Sequence, residues 1–166
     1  KVLVHNSIYD DFLQKLVARA GRIKTGNTAD KSNVNGPLIN DRQVARVKSQ
    51  LDDAIAKGAQ IALGGGINGR FVEPTILTHV TPDMDIWRDE TFGPVAIVVP
   101  FKTDAEAIVM NNDTEYGLSS GIITGNEQRA LDMSQHLETG MCHVNCSTIN
   151  DEPHAPFGGS KASGLG

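Results

Sequence analysis

Glu90-Thr91-Phe92-Gly93-Pro94 puts a carboxylate, an aromatic ring, a glycine and a proline in one loop, just ahead of the apolar run Val95 to Val99. Loops at strand ends are where α/β proteins bind ligands. A glycine lets backbone approach a ligand, and a proline stiffens the loop. On residue types alone, an ordinary turn with Phe92 as a core anchor is the stronger reading. Pro156 to Gly164 surrounds Phe157 and Lys161 with glycines and serines that could cradle a phosphate. It lacks P-loop spacing, and a packed surface loop fits its composition better. Cys142, His143 and Cys146 bring two thiols and an imidazole together, but a zinc site needs four ligands and no second pair is present. On a strand the two cysteines share a face and His143 opposes them, so both cysteines read as small buried hydrophobes. An activating partner for either thiol is not visible. Gly64-Gly65-Gly66 with Gly69 lacks the dinucleotide spacing and precedes a strand, so it reads as a hairpin-like turn.

These segments need a scaffold, and the periodicity supplies one. Val2 to His5 reads as a short strand. Apolar residues at helical spacing predict helices over 8–20 and 41–57, with a polar, turn-rich loop over 24–40 between them. Strands are expected at Ile61 to Leu63 and at Phe71 to Leu77, where Pro74 marks an edge or a strand end. Pro94 to Phe101 is almost continuously apolar, the signature of a strand buried on both faces of a parallel sheet. Thr103 and Glu106 form a capping box before a helix over 104–111. A strand over 118–124, a helix over 127–137 and a strand over 141–146 complete the pattern. Alternating strands and helices indicate an α/β fold with a mostly parallel sheet flanked by helices, in one compact piece.

Composition narrows the function. The 166 residues carry a net charge of −5, with 39% hydrophobic and 21% charged residues. That balance argues for a folded, water-soluble chain and against a nucleic-acid surface or attraction to anionic lipid. No apolar run approaches the roughly 18 residues of a spanning helix. The opening residues lack the apolar core of a secretory leader, and two cysteines are too few for a disulfide scaffold, so a cytoplasmic setting is expected.

Taken in order, the motifs resemble the NAD(P)-dependent aldehyde dehydrogenase superfamily. They are Gly36-Pro37-Leu38-Ile39, Phe71 to Leu77, Glu90-Thr91-Phe92-Gly93-Pro94-Val95, Asn111-Asn112 with Tyr116-Gly117-Leu118 and Ser119-Ser120-Gly121, Gly140 to Asn145, and Pro156 to Gly164. The resemblance spans the whole chain. It implies the family's α/β catalytic-domain fold and oxidation of an aldehyde to a carboxylic acid with NAD or NADP, through a thiohemiacetal on a cysteine. Carried over by motif, Glu90 would hydrogen-bond the nicotinamide-ribose hydroxyls and Phe92 would pack against the nicotinamide. Phe157 and the loop from Ser147 to His154, with Ser147, Thr148, Ile149 and Asn150 foremost, would line the substrate tunnel. Asn145 and Lys161 would order that loop. No metal is implied. Asn150 to Phe157 looks most like aromatic-aldehyde members of the vanillin, benzaldehyde or salicylaldehyde dehydrogenase kind.

By the same resemblance, residues 1–166 correspond to the C-terminal portion of the catalytic domain. The nucleophilic cysteine, the general-base glutamate and the Rossmann-type cofactor domain are expected to lie upstream, so the chain alone is expected to be inactive. Its partners would be the rest of its own domains and an aldehyde, in a homodimer or homotetramer, with no nucleic acid or membrane. The rival reading is a non-catalytic α/β binding or structural module built on this scaffold.

Overall fold

Valine and isoleucine, stiff at χ1 and suited to a pleated surface, form the central strands. The computed structural model describes residues 1–151 and 153–164. The chain forms two compact units, residues 1–102 and 103–166, where the sequence reads as a single piece.

The first unit is built on a four-stranded sheet. In chain order it has β1 (Val2–His5), α1 (Tyr9–Ala20), α2 (Asp41–Ala56), β2 (Gln60–Leu63), β3 (Ile67–Asn68), β4 (Phe71–Val72), β5 (Thr75–Thr78), α3 (Asp85–Arg88) and β6 (Val95–Phe101). The sheet order is β1-β6-β5-β2. Strand β6 lies in the middle, parallel to both β1 and β5, as its apolar run predicts; β2 is antiparallel to β5. Val4, Ile76 and Val98 form a buried cluster covered by Phe12, Leu13, Leu16 and Val17 of α1. Leu77 points the other way from Ile76 along β5 and is also fully buried, so both faces of that strand are covered.

Helix α2 starts where Asn40 Oδ1 accepts the Gln43 amide at 2.9 Å, an N-cap, and buries Val47, Leu51 and Ala54 on one face. The expected strand from Phe71 to Leu77 is two strands. Proline has no N–H to give a ladder, and the chain changes partners around Pro74: β4 pairs with β3, and β5 with β2 and β6. The tip of the β3–β4 hairpin is at Gly69, with φ of 56°, and the glycine triplet lies between β2 and β3.

The second unit comprises α4 (Asp104–Asn112), β7 (Tyr116–Gly117), β8 (Ser119–Ile122), α5 (Glu127–Ser134), β9 (Met141–Val144) and β10 (Ser160–Lys161). Thr103 caps α4 by accepting the Glu106 amide, and Asn126 caps α5 by accepting that of Arg129. Strands β8 and β9 pair in parallel, and β10 returns antiparallel to β7. The expected strand over 118–124 is β8, shorter at both ends, and β7 precedes it in a separate two-stranded sheet. Strand β9 ends at Val144 because Asn145 turns into the left-handed region at φ of 57°, leaving Cys146 beyond it and exposed. Cys142 is half-buried. The expectation of two buried cysteines on one strand face thus fails at Cys146. Among the described residues no helix is long and apolar enough to cross a membrane.

Candidate functional site

Ile86 and Trp87 of α3 are buried, and the chain leaves them as an exposed run, Arg88-Asp89-Glu90. Glu90 is exposed, with its carboxylate at the start of the loop that leads to β6. Phe92 is 69% exposed and has φ of 47°, an outlying backbone conformation for a bulky residue. The reading of Phe92 as a core anchor in an ordinary turn is thereby overturned. A ring in water on a strained backbone costs free energy twice, so other contacts must hold it there.

Those contacts come from α2 and β5. Gln43, in the first turn of α2, donates from Nε2 to the Thr91 carbonyl at 2.7 Å and to the Phe92 carbonyl at 3.2 Å. Gly93 lies so close to α2 that a Cβ there would stand 2.9 Å from a methyl of the fully buried Val47. The Pro94 carbonyl accepts the Thr75 amide of β5 at 2.8 Å. Asp89 lies 3.7 Å from the Arg46 guanidinium, also on α2. The loop is therefore tied from behind while Glu90 and Phe92 face outward.

The second cluster belongs to the second unit. Ser147, Thr148, Ile149 and Asn150 are all exposed, Ile149 by 81%, and Phe157 is 59% exposed. Asn145 starts this loop: its amide donates to the Ile122 carbonyl at 2.9 Å, and its Oδ1 accepts the Thr124 amide at 2.8 Å. The Asn150 amide closes a turn on the Ser147 carbonyl at 3.2 Å. Ser119 Oγ donates to the Thr148 carbonyl at 2.8 Å, and His143 Nε2 lies 3.5 Å from an Asp151 carboxylate oxygen. Glu152, in the predicted tunnel segment, lies outside the described residues.

The stretch after Phe157 is held by its own polar groups. Ser160 Oγ bonds the carbonyls of Gly117 and Glu138, and Lys161 Nζ donates to those of Asn112, at 2.7 Å, and Thr114, at 3.1 Å, besides pairing with Glu138. The Lys161 ammonium is thus engaged three times. Among the described residues no group of three or more His, Cys, Asp or Glu side chains could hold a metal ion. Gln43 and the pairing of His143 with Asp151 were not singled out from sequence, and Ser119 entered only as part of a motif. Gln43 carried one usable signal, its place in the first turn after a capping Asn40.

Residues 1–166 match the profile of the aldehyde dehydrogenase family. The chain is 46% identical over 166 residues to a benzaldehyde dehydrogenase of Bacillus subtilis, covering 100% of this chain and 34% of that one. It is 38% identical over 164 residues to a vanillin dehydrogenase of a Pseudomonas species, covering 99% and 34%. It is 42% identical over 167 residues to a glutarate-semialdehyde dehydrogenase of Pseudomonas putida, covering 100% and 35%. Among solved structures, betaine aldehyde dehydrogenase from Staphylococcus aureus in complex with NAD+ is similar, with a TM-score of 0.92 and 37% identity over 98% of this chain and 34% of that one. NADP-dependent glyceraldehyde-3-phosphate dehydrogenase from Bacillus halodurans, complexed with NADP, gives a TM-score of 0.94 and 33% identity over 99% and 34%. The chain spans about a third of the length of the curated relatives it matches.

Proposed function

The chain belongs to the aldehyde dehydrogenase family, and from that premise we propose that it is the part of an NAD(P)-dependent enzyme that holds the nicotinamide ribose and forms one wall of an aldehyde tunnel. The observation that carries this reading is the 90–94 loop, where an outward carboxylate and an outward ring are held by bonds from behind. A protein that used the loop only for packing would bury Phe92. The donor chemistry fits a dinucleotide: Glu90 would accept hydrogen bonds from the ribose hydroxyls, and Phe92 would offer its face to the planar ring. A bound nicotinamide supplies the hydride acceptor. The task of this chain is to fix its orientation, which counts because a misplaced reactant forfeits much of the gain from proximity.

Ser147, Thr148, Ile149, Asn150 and Phe157 would border the aldehyde. Exposed apolar side chains at Ile149 and Phe157, on a backbone pinned by hydrogen bonds, suit a wall that an apolar substrate touches. Cys142 and Cys146 do not take the nucleophile's part; that cysteine and the general-base glutamate belong to the remainder of the complete enzyme, and the 166 residues alone are inactive. The complete enzyme is a cytoplasmic homodimer or homotetramer, as the family resemblance implies and as two unpaired thiols fit.

The substrate class is aromatic. The benzaldehyde and vanillin dehydrogenases among the relatives support this, together with the Asn150 to Phe157 stretch. The test is a steady-state comparison of benzaldehyde, vanillin and glutarate semialdehyde with the complete enzyme. The two aromatic aldehydes should give the higher kcat/KM; a preference for the semialdehyde would refute the assignment.

A further inference from the structure

We propose that His143 is a positioning residue that sets the shape of the 147–150 loop through Asp151, and so tunes which aldehyde the loop accepts. The proposal rests on the reading of that loop as the aldehyde's wall.

The geometry begins with strand alternation. Ser119 and Gly121 of β8, and Met141 and His143 of β9, are paired in register and point to one face. The loop folds back over this face. A Cβ at Gly121 would stand 2.9 Å from the Thr148 side-chain methyl, so a residue without a side chain there makes room for Thr148. Ser119 Oγ donates its one proton to the Thr148 carbonyl at 2.8 Å. Its lone pair then faces His143 Nδ1 at 3.3 Å, and the Ser120 carbonyl faces the same nitrogen at 3.3 Å. Two acceptors at Nδ1 require a proton there.

On the other side of the ring, Nε2 faces the Asp151 carboxylate at 3.5 Å. Among the described residues, Asp151 is an ionisable group within ion-pair distance of the ring. The ring is well screened from solvent, with 11% of its side chain exposed, against 38% for Asp151. His143 thus joins the rigid β8–β9 pair to the residue that ends the loop, while Ser119 holds the loop's middle and Asn145 its start. The three anchors fix the backbone that carries Ile149, whose own side chain stays free to meet a ligand.

The test uses the complete enzyme with His143→Phe, His143→Gln, Asp151→Ala and the double variant His143→Phe/Asp151→Ala. The two single losses should raise the aldehyde KM about tenfold, or about 1.4 kcal/mol. The cofactor KM should stay within about twofold, because that part of the site is not touched. The double variant should be no worse than either single one, since the pair acts as a unit. His143→Gln, whose amide can still donate to Asp151, should recover part of the loss. An unchanged aldehyde KM in Asp151→Ala, additive losses in the double variant, or a cofactor KM that rises in parallel would overturn the proposal. Asp151→Ala alters an exposed residue and decides the matter even if His143→Phe does not fold. Ile149→Ala separates the two levels. If it shifts the ratio of kcat/KM between benzaldehyde and vanillin while the His143 and Asp151 variants do not, the anchoring is refuted and the loop reading stands. If it shifts nothing, the loop reading falls and the proposal with it.

Discussion

Replacing Gln43 by methionine should loosen the 90–94 loop without emptying the space that its side chain fills. The side chain keeps its length but loses both bonds, to the Thr91 carbonyl at 2.7 Å and to the Phe92 carbonyl at 3.2 Å. The first is partly buried and the second is exposed to water, so they stand at the upper and lower ends of the ordinary net range of about 0.5–1.5 kcal/mol for a hydrogen bond. Their sum, about 1–2 kcal/mol, is comparable to the cost of about 1–3 kcal/mol for a residue held at a sparsely populated backbone conformation such as that of Phe92. Losing it should shift the loop's closed-to-open ratio by about 5–30-fold. Amide hydrogen exchange read at Val95 and Thr75, whose N–H groups donate to the Gly93 and Pro94 carbonyls, reports that ratio, and those amides should exchange faster by up to the same factor. Amides of β1, on the far side of β6, should not change. Cofactor binding by the complete enzyme should weaken as the closed fraction falls, the apparent Kd rising as its inverse. Unchanged exchange at Val95 and Thr75 would show that Gly93 against Val47 and Pro94 against Thr75 suffice, and would refute the account of how the loop is held.

Two further predictions concern stability. Gln50 lies on the buried face of α2 with 3% exposure, and among the described residues neither atom of its amide has a hydrogen-bond partner. Gln50→Met should therefore stabilise the fold, by about 1–3 kcal/mol, read as a higher midpoint of denaturant unfolding; a lower midpoint would mean that the amide is satisfied. Asp53 ties α2 to the start of α3, accepting the Asp85 amide at 2.9 Å and pairing with Lys57 at 2.7 Å. The Lys57 hydrogen bond, with that of the Asp85 amide, holds its carboxyl below the usual aspartate value. A depressed folded value gives stability that is present above the unfolded value of about 3.9 and lost as pH falls through the folded one. The Tm of the wild-type protein should thus drop below about pH 4 more steeply than that of Asp53→Asn; parallel curves would exclude the linkage.

The fold was legible where one physical signal dominated. Helices α1 and α2 announced themselves by apolar spacing, and β6 by an unbroken apolar run that only a strand covered on both faces tolerates. The elements missed were α3, a single turn of four residues, and the two-residue strands β3, β7 and β10, the last two paired with each other across more than forty positions of the chain. None carries enough residues to show a period. Pro74 marked a break, but the change of partners around it depends on contacts between distant segments. At the site, Glu90 and Phe92 stood out because a polar loop preceded a buried strand. The outward turn of Phe92 did not, since an aromatic in a sequence reads as core. What holds it is a side chain 49 residues away. His143 attracted attention for its cysteine neighbours, whereas its bonds run to Ser119 and Asp151, which composition does not connect.

The central claim is that the outward carboxylate of Glu90 orients the nicotinamide ribose for hydride transfer, and single-turnover kinetics of Glu90→Gln in the complete enzyme test it most directly. The amide keeps the size of the side chain and removes the charged acceptor, which makes hydrogen bonds roughly twice as strong as neutral ones. The account predicts a hydride-transfer rate lowered by about tenfold or more, with the aldehyde KM little changed. A single-turnover rate equal to that of the wild type would contradict it.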